Sequence, residues 1–126
     1  MVGVACAVFF SLLVAGCGCR GEECEIRANA QGYLDATGNY LIDEARPYAT
    51  QETLVTLDAL NMLMQVADTT YILQNQPATI TILSVDRVND TEAVVTYRKQ
   101  TPIKDITSTL DMRRRDEGWR ALVLLK

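Results

Sequence analysis

A two-layer α+β domain, with N-terminal helices packed on a C-terminal four-strand antiparallel sheet, is the fold class that residues 25–126 predict. Two observations carry most of the argument. Apolar residues recur at helical spacing before Pro77, and the period drops to two after it. The turn signals Asn89-Asp90, Thr101-Pro102 and Arg115-Asp116-Glu117-Gly118 then cut the second half into four strands joined as a meander. A third observation fixes the layers. Each strand has one apolar face, and a sheet of that kind is completed by helices laid on that face.

Residues 1–16 stand apart from this domain. Val2 to Gly16 has no charged side chain and is mostly apolar. It is short of the roughly 20 residues that a membrane-crossing helix needs, but it fits a secretory signal, whose apolar core is about 7–15 residues long and is followed by small residues. Val14-Ala15-Gly16-Cys17 resembles the lipobox of bacterial lipoproteins. That resemblance implies cleavage before Cys17, attachment of a diacylglyceryl group to its thiol, and stable anchoring through more than one acyl chain. An uncleaved anchor helix, or a signal cut without lipidation, are the alternatives. Gly18, where some Gram-negative bacteria use Asp for inner-membrane retention, implies the outer membrane of the cell envelope.

With Cys6 removed and Cys17 acylated, Cys19 and Cys24 are an even pair that could close a small disulfide in an oxidising compartment. Residues 17–24 then read as a lipidated polar tether. A metal site built from Cys17, Cys19 and Cys24 lacks a fourth ligand in a chain with no His. No metal or other cofactor is implied.

The mature chain of 110 residues is enough for one domain. Residues 17–77 carry 3 basic and 9 acidic side chains, and residues 78–126 carry 9 and 7. The acidic half argues against nucleic acid as a partner, because nucleic acid requires a clustered basic footprint.

The elements follow in order. Ile26, Ala30, Tyr33, Leu34 and Thr37 form the stripe of an amphipathic helix from Glu25 to Thr37, in which Gly32 is a blemish, and Gly38-Asn39 ends it. A short helical turn is expected over Tyr40–Ala45, before the Arg46-Pro47 step. Thr50 reads as an N-cap, with Glu52 in the first turn complementing the helix dipole. The helix that follows, Gln51 to about Asp68, has a single polar line of Asp58, Asn61, Gln65 and Asp68. Apolar residues occupy most of the remaining circumference, which predicts cover on more than one side.

Thr79 to Val88 alternates and then slips phase at Ile82-Leu83, which predicts a β-bulge. In the next strand Ala93, Val95 and Tyr97 face one way and Val94, Thr96 and Arg98 the other. Ile106, Ser108, Leu110 and Met112 face inward in the third strand, as do Trp119, Ala121, Val123 and Leu125 in the fourth. Gly118 is the expected left-handed residue of the last hairpin. Leu122 and Leu124 on the fourth strand's other face predict cover on both sides of its end.

The segments YLDATGNYLIDEARPYATQET, ITILSVDRVNDTEAVVTYR and LDMRRRDEGWRALVLLK resemble small secreted bacterial lipoproteins that carry the domain of unknown function 4878. That domain is a branch of the nuclear transport factor 2-like superfamily, and the resemblance covers most of residues 24–126. It implies a cone of helices on a curved sheet. It supplies no assigned activity.

Enzymes of the superfamily place an Asp or His base in the cone with Tyr or Asp donors opposite. By that resemblance Tyr33, Tyr40, Tyr71, Tyr97, Asp58 and Asp111 are the residues to inspect. Asp58 leads them because its helix is otherwise apolar. The basic residues Arg98, Lys99, Arg113, Arg114, Arg115 and Arg120 are expected on the sheet's second face or at the hairpin tip, as a solvated face or an anion site.

The expected function is an envelope-anchored, non-enzymatic binding or scaffold domain. The alternative is a small isomerase- or cyclase-like enzyme using a buried carboxylate. The expected binding face is Val55, Met62 and Val66, one flank of the second long helix, whose partner would be an unknown protein, an apolar ligand or a second copy of the chain.

Overall fold

The computed structural model describes residues 20–124. In order these form α1 (Gly21–Gly38), α2 (Ile42–Ala45), a 3-10 turn (Arg46–Tyr48), α3 (Gln51–Val66), α4 (Thr69–Gln74), β1 (Thr79–Asn89), β2 (Glu92–Gln100), β3 (Asp105–Arg115) and β4 (Gly118–Leu122). The four strands make one antiparallel sheet in the order β1-β2-β3-β4. Cys17 and Cys19, with the whole leader, lie outside the described residues.

The first helix begins at Gly21, so Gly21 to Cys24 are helical and are not part of a tether. Apolar periodicity gave no sign of this turn because it starts with Glu22 and Glu23, which stabilise a helix N-terminus through the dipole and not through burial. Ile26, Ala30, Tyr33 and Leu34 are buried as expected. Gly32 is the landing site of Tyr48, because a Cβ there would collide with the Tyr48 ring.

Helix α1 runs across the sheet and holds both of its edges. Near one end Glu25 accepts from the Trp119 N–H at 2.8 Å, and Asn29 donates to the Trp119 carbonyl at 2.8 Å. Further along, Gln31 donates to the Ile80 carbonyl at 2.9 Å on β1. Only six residues, or roughly 9 Å of helix, separate Glu25 from Gln31, whereas four flat strands span about 14 Å. The sheet therefore curls around the helix. Its concave face carries the core, with Ile80, Ala93, Val95, Leu110, Met112, Trp119 and Ala121 all buried. The register shifts between Ile82 and Ser84, where the bulge was expected, and this returns Val85 to the face of Val95.

Helix α3 closes the free edge of β4 with threonines. Thr53 Oγ1 donates to the Ala121 carbonyl at 3.0 Å and accepts from the Val123 N–H at 2.9 Å, and Thr56 Oγ1 donates to the Val123 carbonyl at 2.7 Å. Thr50 caps the helix by accepting from Thr53 N–H, and its own N–H donates to Ala121. An open strand edge would leave these groups unpaired.

Four expectations fail beyond this point. Helix α3 is not covered on more than one side: only Thr53, Thr56 and Leu57 are buried, and Leu54, Leu60 and Met64 are half-buried against the core. It also stops at Val66, because Asp68 caps a separate helix, α4. The end of β4 is open on its outer face, where Leu124 is exposed. Ile106 and Ser108 are also exposed although their register faces inward.

Candidate functional site

Helix α1 ends at Gly38 and Asn39, as expected, but the left-handed residue that follows is not a glycine. Leu41 N–H closes onto the Ala36 carbonyl at 2.8 Å, a closure that needs a left-handed residue just before Leu41. Tyr40 fills that position at φ 62°. Glycine takes this conformation without steric cost and a tyrosine does not. What the strained backbone achieves is placement, since the Tyr40 side chain lines a cavity of about 210 Å³ enclosed by α1, α2, α3 and α4. Ile42, Leu60, Met64 and Ile72 supply apolar walls, and Tyr71 stands with Tyr40 among the lining residues.

One lysine contacts these phenols, and a second lies beside the end of α1. Lys104, in the β2–β3 turn, donates to Tyr71 Oη at 3.1 Å and lies 5.4 Å from the ring centroid. Lys99 pairs with Ile80 and Ile106 in register, so it belongs to the concave face and not to the sheet's second face. Its stem passes over Gly38, at the end of α1. Among the described residues neither lysine forms an ion pair, although Arg27, Arg46, Arg87, Arg98, Arg114 and Arg115 all do.

The electrostatics follow from this placement. Burial lowers the Lys99 pKa, and the neighbouring charge of Lys104 lowers it further. Hydrogen bonding to Lys104 holds the Tyr71 phenol below its ordinary value and raises Lys104 in turn. Burial raises Tyr40, and Tyr71 adds to that against the opposing pull of Lys104. Deeper in the core, burial and then Tyr97 push Tyr33 up to about 12.

The residues singled out from the sequence fall elsewhere. Val55, Met62 and Val66 are 62%, 70% and 82% exposed. At ~100° per residue they project from the side of α3 opposite to Leu60 and Met64, so they do not line the cavity. Asp58 points outward, 2.8 Å from Arg46, and Asp111 is exposed on the convex face. Cys24 is disulfide-bonded, and its partner lies outside the described residues. Among the described residues no group of His, Cys, Asp or Glu could hold a metal ion, and no helix is long and apolar enough to cross a membrane.

A larger hollow of about 1050 Å³ lies at the hairpin end, lined in part by Arg114, Arg115 and Arg120. Its wall is polar and its charges are largely neutralised within the chain. Glu22 holds Arg87 at 3.0 Å and Arg114 at 3.2 Å, and Glu52 holds Arg115 at 3.0 Å. Arg120 donates to the Trp119 carbonyl. Lys104 was missed as a site residue because a turn lysine gives no periodic signal. Lys99 was legible, being two residues beyond Tyr97 and therefore in phase with it.

Helices laid in a curled antiparallel sheet, with a cavity among them, define the nuclear transport factor 2-like fold. Two solved structures share it. One is described as a nuclear transport factor 2-like protein of unknown function from Shewanella oneidensis, 18% identical with a TM-score of 0.57, the match covering 79% of this chain and 94% of that one. The other is a ketosteroid isomerase-like protein from Erwinia carotovora atroseptica, 14% identical with a TM-score of 0.53, covering 82% and 92%. No protein-family model and no curated protein matches the chain.

Proposed function

We propose that this chain is an envelope-anchored lipoprotein, acylated at Cys17, whose domain is a non-enzymatic module that binds a small apolar ligand. One observation carries the binding reading: a cavity of about 210 Å³ with apolar walls, reached past an α3–α4 segment whose Leu63 and Tyr71 are exposed. Most ligand sites are concave and predominantly apolar, and this cavity is apolar throughout. The competing reading, a cone-fold isomerase or cyclase, needs a buried carboxylate facing a donor. None of the Asp and Glu side chains among the described residues is buried, and Asp58 is paired with Arg46 on the outside. The anchoring part of the proposal rests on Val14-Ala15-Gly16-Cys17 and on the resemblance to domain 4878 lipoproteins.

Native mass spectrometry of the chain purified from a bacterial envelope tests both parts. The expected result is an acylated N-terminus at Cys17 plus a non-covalent adduct that Met64→Trp, which fills the cavity, removes. An unmodified Cys17 would overturn the anchor. An adduct that survives Met64→Trp would overturn the cavity as its site.

A further inference from the structure

We infer that the α1–α4 cavity takes a short or medium-chain alkyl carboxylate, with the chain among the helices and the carboxylate between Lys104, Lys99 and the phenols of Tyr40 and Tyr71. This inference rests on the binding reading above and names the ligand class for the same site. The apolar part follows from volume. At the ~30 Å³ that a water-sized group occupies in a liquid, 210 Å³ holds about seven methylene groups.

The head follows from charge. A lysine lacking an acid partner is unremarkable on an open surface, but Lys99 is half-buried on the concave face and Lys104 is fixed on the ring that walls the cavity. Lys104 holds the Tyr71 hydroxyl at 3.1 Å, Tyr71 and Tyr40 both line the cavity, and the Lys99 stem lies beside Gly38, two residues before Tyr40. An incoming carboxylate would gain charge-assisted hydrogen bonds from the lysines and neutral ones from the phenols. Tyr40 adds an independent sign of function. A tyrosine kept in the left-handed region, where glycine would relax the turn, is a strained residue of the kind that collects at ligand sites.

Isothermal titration of the full chain in amphipol, with amphipol alone as blank, compares octanoate, 1-octanol and acetate. Octanoate is expected to bind more tightly than 1-octanol, and acetate is expected not to compete. In the Lys99→Gln, Lys104→Gln double variant the octanoate dissociation constant should rise at least about tenfold, while that of 1-octanol changes less than about twofold. Tyr40→Gly should weaken octanoate binding while raising the melting temperature, a combination that a merely structural tyrosine would not give. Equal binding of octanoate and 1-octanol, unaffected by the lysine changes, would overturn the carboxylate site and leave the apolar cavity standing. Binding of neither would overturn both. Competition by acetate would reduce the site to one for simple anions and overturn the alkyl-chain part.

Discussion

At the hairpin end of the sheet Glu22 and Glu52 neutralise Arg87, Arg114 and Arg115, whereas at the opposite end Lys104 meets a phenol and, among the described residues, neither it nor Lys99 meets a carboxylate. The contrast extends to the backbone. Glu25, Asn29, Thr53 and Thr56 occupy the outward polar groups of Trp119, Ala121 and Val123 on β4. Around α4, by contrast, Leu63, Tyr71 and Leu73 are left exposed beside a cavity. Where the helices complete hydrogen bonds and ion pairs the chain is finished by itself. On the proposed reading a bound ligand completes the other end, which would put stability and binding at different ends of one sheet.

The largest effect should come from the closed end. Trp119 is 1% exposed in the cluster that holds Ala93 and Val95, so Trp119→Ala should cost about 3–5 kcal/mol in chemical denaturation. Among the described residues its indole Nε1 has no hydrogen-bond partner, and Arg87 covers the ring at 5.1 Å. Trp119→Phe, which removes the orphaned N–H, should therefore cost much less than the alanine change.

The next effect appears with pH. Tyr33 ionises near pH 10 in the unfolded chain but at about 12 in the fold, so the unfolded state loses its proton first. Its contribution is fully present below pH 10 and is lost as pH rises toward 12, up to about 2–3 kcal/mol. Tyr33→Phe should flatten the alkaline limb of the stability curve.

Thr53→Val should cost about 1–3 kcal/mol, because it strips the side-chain partner from the Val123 N–H and one of two donors from the Ala121 carbonyl, which keeps the Thr50 N–H. A smaller change of opposite sign is expected at the open end. Tyr40→Gly should stabilise the fold by about 1 kcal/mol by relieving the left-handed backbone, as read by the denaturation midpoint. Smallest of all, Met62→Glu should shift stability by less than about 0.5 kcal/mol, since Met62 is 70% exposed and faces away from the cavity. If Met62→Glu also removed self-association in analytical ultracentrifugation, the Val55–Met62–Val66 flank would be a contact between copies.

The sequence exposed the closed end more fully than the open one, and the reason is physical. Alternation in β2 and β3, the phase slip at Ile82-Leu83 and the inward register of Trp119 are consequences of burial, which writes a period into the chain. Thr50, Thr53 and Thr56 contribute no such period, because they act by hydrogen bonding to a strand edge that is remote in sequence. The apolar circumference of α3 misled for a related reason: hydrophobicity records the need for cover and not what supplies it. The candidate site draws Tyr40, Lys99, Tyr71 and Lys104 from four separate places along the chain, of which Tyr40 and Tyr71 line the cavity. Only the curl of the sheet around α1 brings them together.

Hydrogen exchange of the full chain with saturating octanoate, and with 1-octanol as the uncharged control, tests the division of labour most directly. The account predicts added protection in residues 37–42, 60–72 and 99–104, stronger with octanoate, and no change across Arg115–Val123 or Glu25–Asn29. Protection centred on the β3–β4 hairpin, or spread evenly over both ends of the sheet, would contradict it.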